Sequence, residues 1–168
     1  MHLVEEDLVR WGRTIGRLLG GPSFLALRGP LGAGKSVLAR AIARGAGIEA
    51  AIPSPTFNLI FRYPMPDGGE LVHLDLYRLG DPDEVWELGW EELGRDEEIV
   101  IVEWPERAER FLPGDRWDLR LEMVPGEPLL RRISVDRVGD PPELPSFPLT
   151  LSGSRSRDTV TLFPDADE

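Results

Sequence analysis

Apolar residues in the first part of the chain follow helical and strand-like spacings in turn. Positions 4, 8, 11, 15, 18 and 19 share one helical face, which predicts an amphipathic helix over Leu3–Leu19 that ends at Gly20-Gly21-Pro22. The run Phe24–Leu27 predicts a short buried strand, and the apolar spacing within Val37–Arg44 predicts a second helix. Phe57–Tyr63 is expected to be extended. A strand, a loop and a helix are therefore predicted to follow one another between residues 24 and 44.

Two further stretches have the patterns of strands. Glu70–Arg78 alternates, with three aliphatic residues on one predicted face and His73, Asp75 and Tyr77 on the other. Such a polar face is typical of solvated surface when it stands alone. Ile99–Val102 is apolar throughout, which is the pattern of a central parallel strand that is covered on both sides.

The second half of the chain predicts an antiparallel hairpin and a proline-rich tail. Alternating apolar residues in Trp117–Met123 and Ile133–Val135 flank a Pro-Gly turn, which predicts a hairpin at the edge of a sheet. Asp81–Leu93 begins with Asp-Pro, a typical helix start, and predicts a short acidic helical region. We predict one domain over residues 1–138, followed by a tail over residues 139–168 that forms a short hairpin or is partly disordered.

Composition narrows the class of protein. The 168 residues carry a net charge of −11, with +3 in residues 1–50 and −14 in the remainder. Such an acidic chain is a poor stand-alone binder of nucleic acid, so any contact with RNA is expected to be indirect. The absence of cysteine excludes thiol chemistry and Cys-ligated metals. No apolar run approaches the ~20 residues of a membrane span, and the acidic start does not resemble a signal peptide. A cytoplasmic protein without membrane contact is expected.

One stretch carries a specific chemical signature. Gly29–Ser36 reads GPLGAGKS and fits G-x-x-x-x-G-K-[ST], between a predicted strand and a predicted helix. Backbone N–H groups of such a loop face one point at the positive end of the helix dipole, and glycines let the backbone approach phosphate oxygens. Lys35 would reach the β- and γ-phosphates, and the Ser36 hydroxyl would ligate Mg²⁺. The predicted nucleotide-binding loop consists of Pro30, Leu31, Gly32, Ala33, Gly34, Lys35 and Ser36.

Two observations outside this motif favour the same site. Lys35 is the one lysine in a chain that has 18 arginines, and a compact ammonium fits between two phosphates better than a planar guanidinium. Glu103 directly follows the apolar run Ile99–Val102. Since nucleotide sites lie at the carboxyl ends of parallel strands, Glu103 is predicted to lie near the phosphates, in the Walker-B arrangement.

Four motifs in one order carry a resemblance to a known family: Gly29–Ser36, then Ser54-Pro55-Thr56-Phe57, then HLDLYR at residues 73–78, then VEWPE at residues 102–106. On these motifs the chain resembles the TsaE family, small bacterial ATPases needed to make threonylcarbamoyladenosine in tRNA, over roughly residues 3–137. The resemblance implies an α/β fold of the P-loop NTPase type, a mainly parallel sheet flanked by helices with an antiparallel edge hairpin. It also implies ATP and Mg²⁺ as cofactors, slow hydrolysis by the protein alone, and a complex with TsaD and TsaB.

The same resemblance assigns roles to individual residues. Glu103 becomes the second Mg²⁺ ligand beside Ser36, and Trp104 is expected close to the nucleotide. Asp75 is expected to orient or activate the attacking water, and Thr56 to sense the γ-phosphate from a switch-like loop. The catalytic residues that the resemblance implies are therefore Asp75, Thr56 and Lys35.

Two other functions stay open on the sequence alone. A small-molecule or nucleoside kinase shares the phosphate loop, but it needs a lid, for which residues 107–137 offer little room. A nucleotide-dependent assembly module would need ATP occupancy, and its hydrolysis would be incidental.

Several conspicuous side chains have a structural interpretation beside the functional one. Arg78, Arg107 and Arg110 are candidates for an arginine finger, although a helical arginine is more often a solvated or paired surface group. His73 is expected to make a structural hydrogen bond, because phosphate-ester hydrolysis of this kind needs no histidine. Trp86 and Trp90 are expected to be core or partner contacts.

Overall fold

The computed structural model describes residues 1–52 and 59–147. The predicted contributions of Thr56 and its neighbours, and of a hairpin after residue 147, lie outside these residues. The strands are β1 (His2–Val4), β2 (Ser23–Arg28), β3 (Ile60–Pro64), β4 (Glu70–Asp75), β5 (Glu98–Glu103), β6 (Arg116–Val124) and β7 (Glu127–Val138). The α-helices are α1 (Glu5–Leu18) and α2 (Lys35–Gly45), and the 3₁₀ helices are Pro82–Leu88, Trp90–Glu92 and Pro105–Phe111. None of the helices in this part of the chain has both the length and the apolar character needed to cross a membrane.

One seven-stranded sheet organises the molecule, in the order β1-β7-β6-β2-β5-β4-β3. The central strands β6, β2, β5 and β4 run parallel to one another, and antiparallel pairs with β7, β1 and β3 extend the sheet on the two sides. This arrangement confirms the predicted α/β fold with a parallel centre, flanking helices and the β6–β7 hairpin. The hairpin is not the edge of the sheet, however, because β1 pairs with β7 and forms the outer strand.

The beginning of the chain differs from the prediction for the same reason. The predicted helix over Leu3–Leu19 begins at Glu5, because His2–Val4 pair with β7 and bury Leu3. Three acidic residues then occupy the first turn of α1, where they complement the positive end of the helix dipole. The acidic region after Asp81 is helical as predicted, but its turns are of the 3₁₀ type.

The core has two parts, one on each face of the sheet. Alternate residues of β5 contribute to the two parts of the core. Ile99 and Ile101 pack beneath α1 and α2, whereas Val100 and Val102 pack beneath the 3₁₀ helices. This double burial explains the fully apolar run that predicted a central parallel strand. It also fixes Glu103 at the end of a strand that packing holds on both sides.

Glycines allow α1 and α2 to pack closely over the sheet. A Cβ added to Gly16 would lie 1.9 Å from the Ile42 carbonyl oxygen, and one added to Gly45 would lie 2.1 Å from the Arg13 carbonyl oxygen. Larger residues at these two positions would therefore force the helix backbones apart. Because α2 begins with Lys35, this contact also determines where the phosphate loop ends.

The first residues of the predicted tail pack against the domain. The Trp11 indole donates to the Pro145 carbonyl at 2.7 Å, and the Trp117 indole donates to the Pro142 carbonyl at 2.8 Å. Leu144 and Phe147 pack on the core beneath α1 and α2. We name residues 141–147 the C-terminal strap. Its contacts tie α1 to β6.

Candidate functional site

The phosphate loop connects the carboxyl end of β2 to the first residue of α2. Gly34 caps α2 with a φ of 103°, and Gly29 has a φ of 136°, a conformation that favours glycine. A Cβ on Gly29 would lie 2.1 Å from the Leu121 carbonyl oxygen, so this glycine also lets the loop pass close to β6. A Cβ added to Gly32 would have no neighbouring atom within 4 Å, so there is open space beside the loop at this residue.

Lys35 turns back over the loop that precedes it. Its ammonium donates to the carbonyl oxygens of Gly29 at 2.6 Å and Pro30 at 3.0 Å, and its Nζ lies 3.8 Å from the centroid of the Trp104 ring. Burial lowers the pKa of Lys35 below the ordinary lysine value, and the negative charges of Glu103, Glu106 and Asp75 oppose that shift. These contacts hold the Lys35 ammonium beside the loop.

Two buried carboxylates stand side by side at the ends of adjacent strands. The register pairs Asp75 of β4 with Glu103 of β5, and their exposed fractions are 4% and 1%. Glu103 accepts a hydrogen bond from the Ser36 hydroxyl at 2.8 Å through Oε2. Its other oxygen, Oε1, lies 2.9 Å from Nε2 of His73. The hydrogen-bonding role predicted for His73 is therefore confirmed, and its partner is Glu103.

An aromatic pair forms the wall next to Asp75. The Asp75 carboxylate accepts a hydrogen bond from the Tyr77 backbone N–H at 3.0 Å, which fixes the turn after β4. The Tyr77 and Trp104 rings lie 4.9 Å apart between centroids. Trp104 adopts a left-handed backbone conformation with a φ of 59°, unusual for a bulky residue and found mainly where a site constrains the chain. The turn after β5 thus brings the Trp104 ring over Lys35.

These side chains line a single cleft of about 320 Å³. Of the residues predicted for the site, it collects Leu31, Gly32, Gly34, Lys35, Ser36, Asp75, Glu103 and Trp104. The side chains of Pro30 and Ala33 do not line the cleft: Pro30 is exposed and contributes its carbonyl to Lys35, and Ala33 is buried in the core. Thr56 lies outside the described residues.

The oxygen atoms of Ser36 and Glu103 fit a magnesium ion whose other ligands would be phosphate oxygens and water. Two ligands at right angles on an octahedral Mg²⁺, each ~2.1 Å from it, are about 3 Å apart, close to the 2.8 Å between the Ser36 and Glu103 oxygens. No group of three or more His, Cys, Asp or Glu side chains in residues 1–52 and 59–147 is arranged so that it could hold a metal ion by itself. Mg²⁺ does not require one, because it commonly takes one or two carboxylates together with waters and substrate phosphates.

The candidate arginine fingers do not reach this cleft. Arg110 donates to Asp83 at 2.5 Å on the surface, and Arg107 is exposed on the 3₁₀ helix that follows β5. Neither these two nor Arg78 is among the described residues that line the cleft. Trp90 is buried against Phe24 in the core, as predicted, while Trp86 is partly exposed.

Sequence reasoning missed one wall of the site and a neighbouring groove. Tyr77 and Val37 line the cleft. The sequence did contain a signal for Tyr77, because the alternating pattern placed it on the same predicted face as His73 and Asp75. A second groove of about 430 Å³ shares Gly32 and Gly34 with the cleft and is formed by α1, α2 and the first residues of β7, including Leu8, Val37, Leu129 and Arg131. Its parts are too far apart in the chain to form a recognisable motif.

Solved structures include one with the same arrangement. A crystal structure of Bacillus subtilus YdiB superposes with a TM-score of 0.64 and 26% sequence identity, covering 83% of this chain and 84% of that one. The match extends over most of both chains.

Sequence comparisons identify the family. The model of the threonylcarbamoyl adenosine biosynthesis protein TsaE matches residues 3–132. The tRNA threonylcarbamoyladenosine biosynthesis protein TsaE of Streptomyces coelicolor is 35% identical over 77% of this chain and 89% of its own length. The protein of the same description from Mycobacterium tuberculosis is 40% identical over 71% of this chain and 75% of its own length. The chain therefore belongs to the TsaE family, whose members take part in threonylcarbamoyladenosine biosynthesis for tRNA.

Proposed function

We propose that this chain is a Mg²⁺-dependent ATPase subunit of the machinery that makes threonylcarbamoyladenosine in tRNA, working with TsaD and TsaB in the cytoplasm. The observation that carries the proposal is the convergence of Lys35, Ser36, Asp75 and Glu103 on one cleft at the phosphate loop. Together they supply three requirements of phosphoryl transfer: Lys35 a cation, Ser36 and Glu103 a pair of metal ligands, and Asp75 a carboxylate beside them.

The residues of the chain divide the work of hydrolysis. Loop N–H groups and Lys35 bind the β- and γ-phosphates and neutralise charge that develops in the transition state. Ser36 and Glu103 would hold Mg²⁺, and the bound ion would neutralise negative charge on the phosphate groups. Asp75, which the Tyr77 N–H holds in place, orients the attacking water and accepts its proton. The catalytic part proposed for Thr56 would complete this set from the switch-like loop.

The groove beside the cleft supports a position for the nucleoside. Because the groove and the cleft share Gly32 and Gly34, a ligand whose phosphates sit on the loop can continue into the groove without leaving the surface. Leu8, Val37 and Leu129 give that groove apolar walls, which suit a flat base better than a phosphate chain. We therefore expect the adenine to contact these residues.

The positions of the arginines bear on whether ATP hydrolysis depends on a partner protein. No arginine among the described residues lines the cleft, and we propose that a partner protein supplies the arginine finger, so that hydrolysis by the chain alone is slow. TsaD and TsaB are the proposed partners, and the protein would meet tRNA through them rather than directly. ATP turnover should rise when both are added. No change in turnover with the complete complex would remove this part of the proposal.

The experiment that tests the ATPase activity compares Asp75→Asn with wild type. The variant keeps the size of the side chain and should still bind ATP in calorimetry, while phosphate release falls ~10²–10⁴-fold, the usual contribution of a positioned general base. Asp67→Asn, in an exposed turn, is the matched control and should hydrolyse ATP normally. Full turnover by Asp75→Asn would contradict the assigned role.

Two measurements separate the alternative functions. For a kinase, γ-labelled ATP would transfer its label to an acceptor rather than release free phosphate. Residues 107–137 are all described and form the end of a 3₁₀ helix and the β6–β7 hairpin. They contain no lid of the kind that a kinase needs. For an assembly module, Asp75→Asn would bind ATP and still support repeated rounds of tRNA modification with TsaB and TsaD.

A further inference from the structure

His73 is a buried polar residue that the hydrolysis mechanism does not use. Its side chain is 1% exposed, and it lies on β4 two residues before Asp75. The register places it opposite Ile101 of β5, so Glu103 is its diagonal neighbour on the same face of the sheet. An aliphatic side chain would fill this position at lower desolvation cost, which makes the choice of an imidazole informative.

The two oxygens of Glu103 have different partners. Oε1 lies 2.9 Å from Nε2 of His73 in the interior, and Oε2 lies 2.8 Å from the Ser36 hydroxyl at the cleft. The terminal torsion of a glutamate side chain is broad and does not by itself select the orientation of the carboxylate. A hydrogen bond to the inner oxygen supplies that selection, because rotating the carboxylate would break it.

We propose that His73 is the positioning residue of the metal site: it donates its Nε2–H to Oε1 of Glu103 and thereby keeps Oε2 beside Ser36 to bind Mg²⁺. The inference rests on the proposed function and assigns His73 a part in it. In metal sites generally, a residue that hydrogen-bonds to a metal-binding carboxylate fixes the orientation of that carboxylate. His73 itself touches neither nucleotide nor metal.

The test measures how much Mg²⁺ strengthens nucleotide binding by the full chain. ATP binding is measured by calorimetry once with Mg²⁺ and once with excess EDTA. The dissociation constant in EDTA divided by that with Mg²⁺ measures how much the metal site strengthens binding. In His73→Leu this ratio should shrink ~10–100-fold, the usual effect of losing such a partner, while binding in EDTA stays at the wild-type value. His73→Gln retains an N–H donor of similar reach and should recover most of the ratio.

The outcomes separate this inference from the proposed function. A His73→Leu protein with the wild-type ratio would overturn the role of His73 and leave the proposed ATPase standing. Equal loss in His73→Leu and His73→Gln would also overturn it, since the donor would then be irrelevant. If Mg²⁺ does not change the ATP affinity of the wild-type protein, both the role of His73 and the proposed Mg²⁺-dependent function are overturned.

A measurement on the wild-type protein covers the case in which His73→Leu does not fold. The chain has two histidines, and His2→Gln identifies the imidazole signals of His73 in ¹H–¹⁵N spectra. The proposal requires a proton on Nε2 of His73. A tautomer with the proton on Nδ1 and a bare Nε2 would overturn it, because that nitrogen could not donate to Glu103.

Discussion

Removing the ammonium of Lys35 gives the sharpest test of the phosphate loop. In Lys35→Met most of the apolar stem remains, but the cation that lies 3.8 Å from the Trp104 centroid is lost. Near neutral pH, the charge-assisted contact to phosphate is worth about 2–3 kcal/mol, so the dissociation constant for ATP should rise about 30- to 150-fold. The measurement is calorimetric titration with ATP and Mg²⁺.

The electrostatics of the site add a second signature to this experiment. Because burial lowers the pKa of Lys35, wild-type affinity for ATP should begin to fall at a lower pH than an ordinary lysine would dictate. The loss follows deprotonation, which removes the positive charge as the pH rises through the lowered pKa. Lys35→Met carries no charge at any pH and should lack this alkaline decline.

A matched control uses another cation of the same helix. Arg40 lies on α2, is exposed and is not among the residues of the cleft. Arg40→Met therefore changes the net charge by the same amount and should leave ATP affinity within a factor of about two, as expected for a distant screened charge. Equal ATP binding by wild type and Lys35→Met, with melting curves showing both folded, would refute the assignment of the loop.

Three further predictions concern stability. Gly16→Ala should lower the free energy of unfolding by about 3 kcal/mol, because the new methyl group would collide with backbone of α2. Tyr63→Phe should raise it by about 1 kcal/mol, since the buried Tyr63 hydroxyl has no hydrogen-bond partner within the described residues. Truncation after Val138 should cost about 3–5 kcal/mol by removing the C-terminal strap, whereas truncation after Phe147 keeps the strap and its contacts with both tryptophans. Urea denaturation measures all three.

Each of these stability predictions has its own control or contrary result. Gly20→Ala adds the same methyl group where no atom lies within 4 Å, so it should be nearly neutral. A destabilised Tyr63→Phe would reveal a partner for the hydroxyl. Equal stability of the two truncated proteins would show that residues 141–147 do not hold α1 to β6.

Local patterns in the sequence predicted the centre of the fold well. The apolar run Ile99–Val102 identified a strand buried on both faces, and the loop motif identified the start of α2. Both signals work because the structural cause lies within a few neighbouring residues: double burial requires continuous apolar character, and a phosphate loop requires glycines at fixed spacing. The position of Glu103 beside Ser36 followed from these two predictions together.

Features that depend on distant pairing were less accessible. Residues His2–Val4 continue the apolar spacing of the first helix, and only their pairing with β7, more than 120 residues away, makes them a strand. The groove beside the cleft is likewise formed by α1, α2 and the first residues of β7, which are far apart in the sequence. His73 and Tyr77 were both visible in one alternating stretch, but which of them turned inward to Glu103 depended on the neighbouring strand.

The single lysine also gives the protein a selective chemical handle. Amine-directed acylating reagents have only the terminal α-amino group and Lys35 as targets, and Lys35 is 4% exposed beneath an indole ring. Acylation at that position needs both a neutral amine and an opening of the turn after β5. The extent of acylation of one tryptic fragment, followed by mass spectrometry, would therefore report how often the site opens and whether a bound molecule shields it.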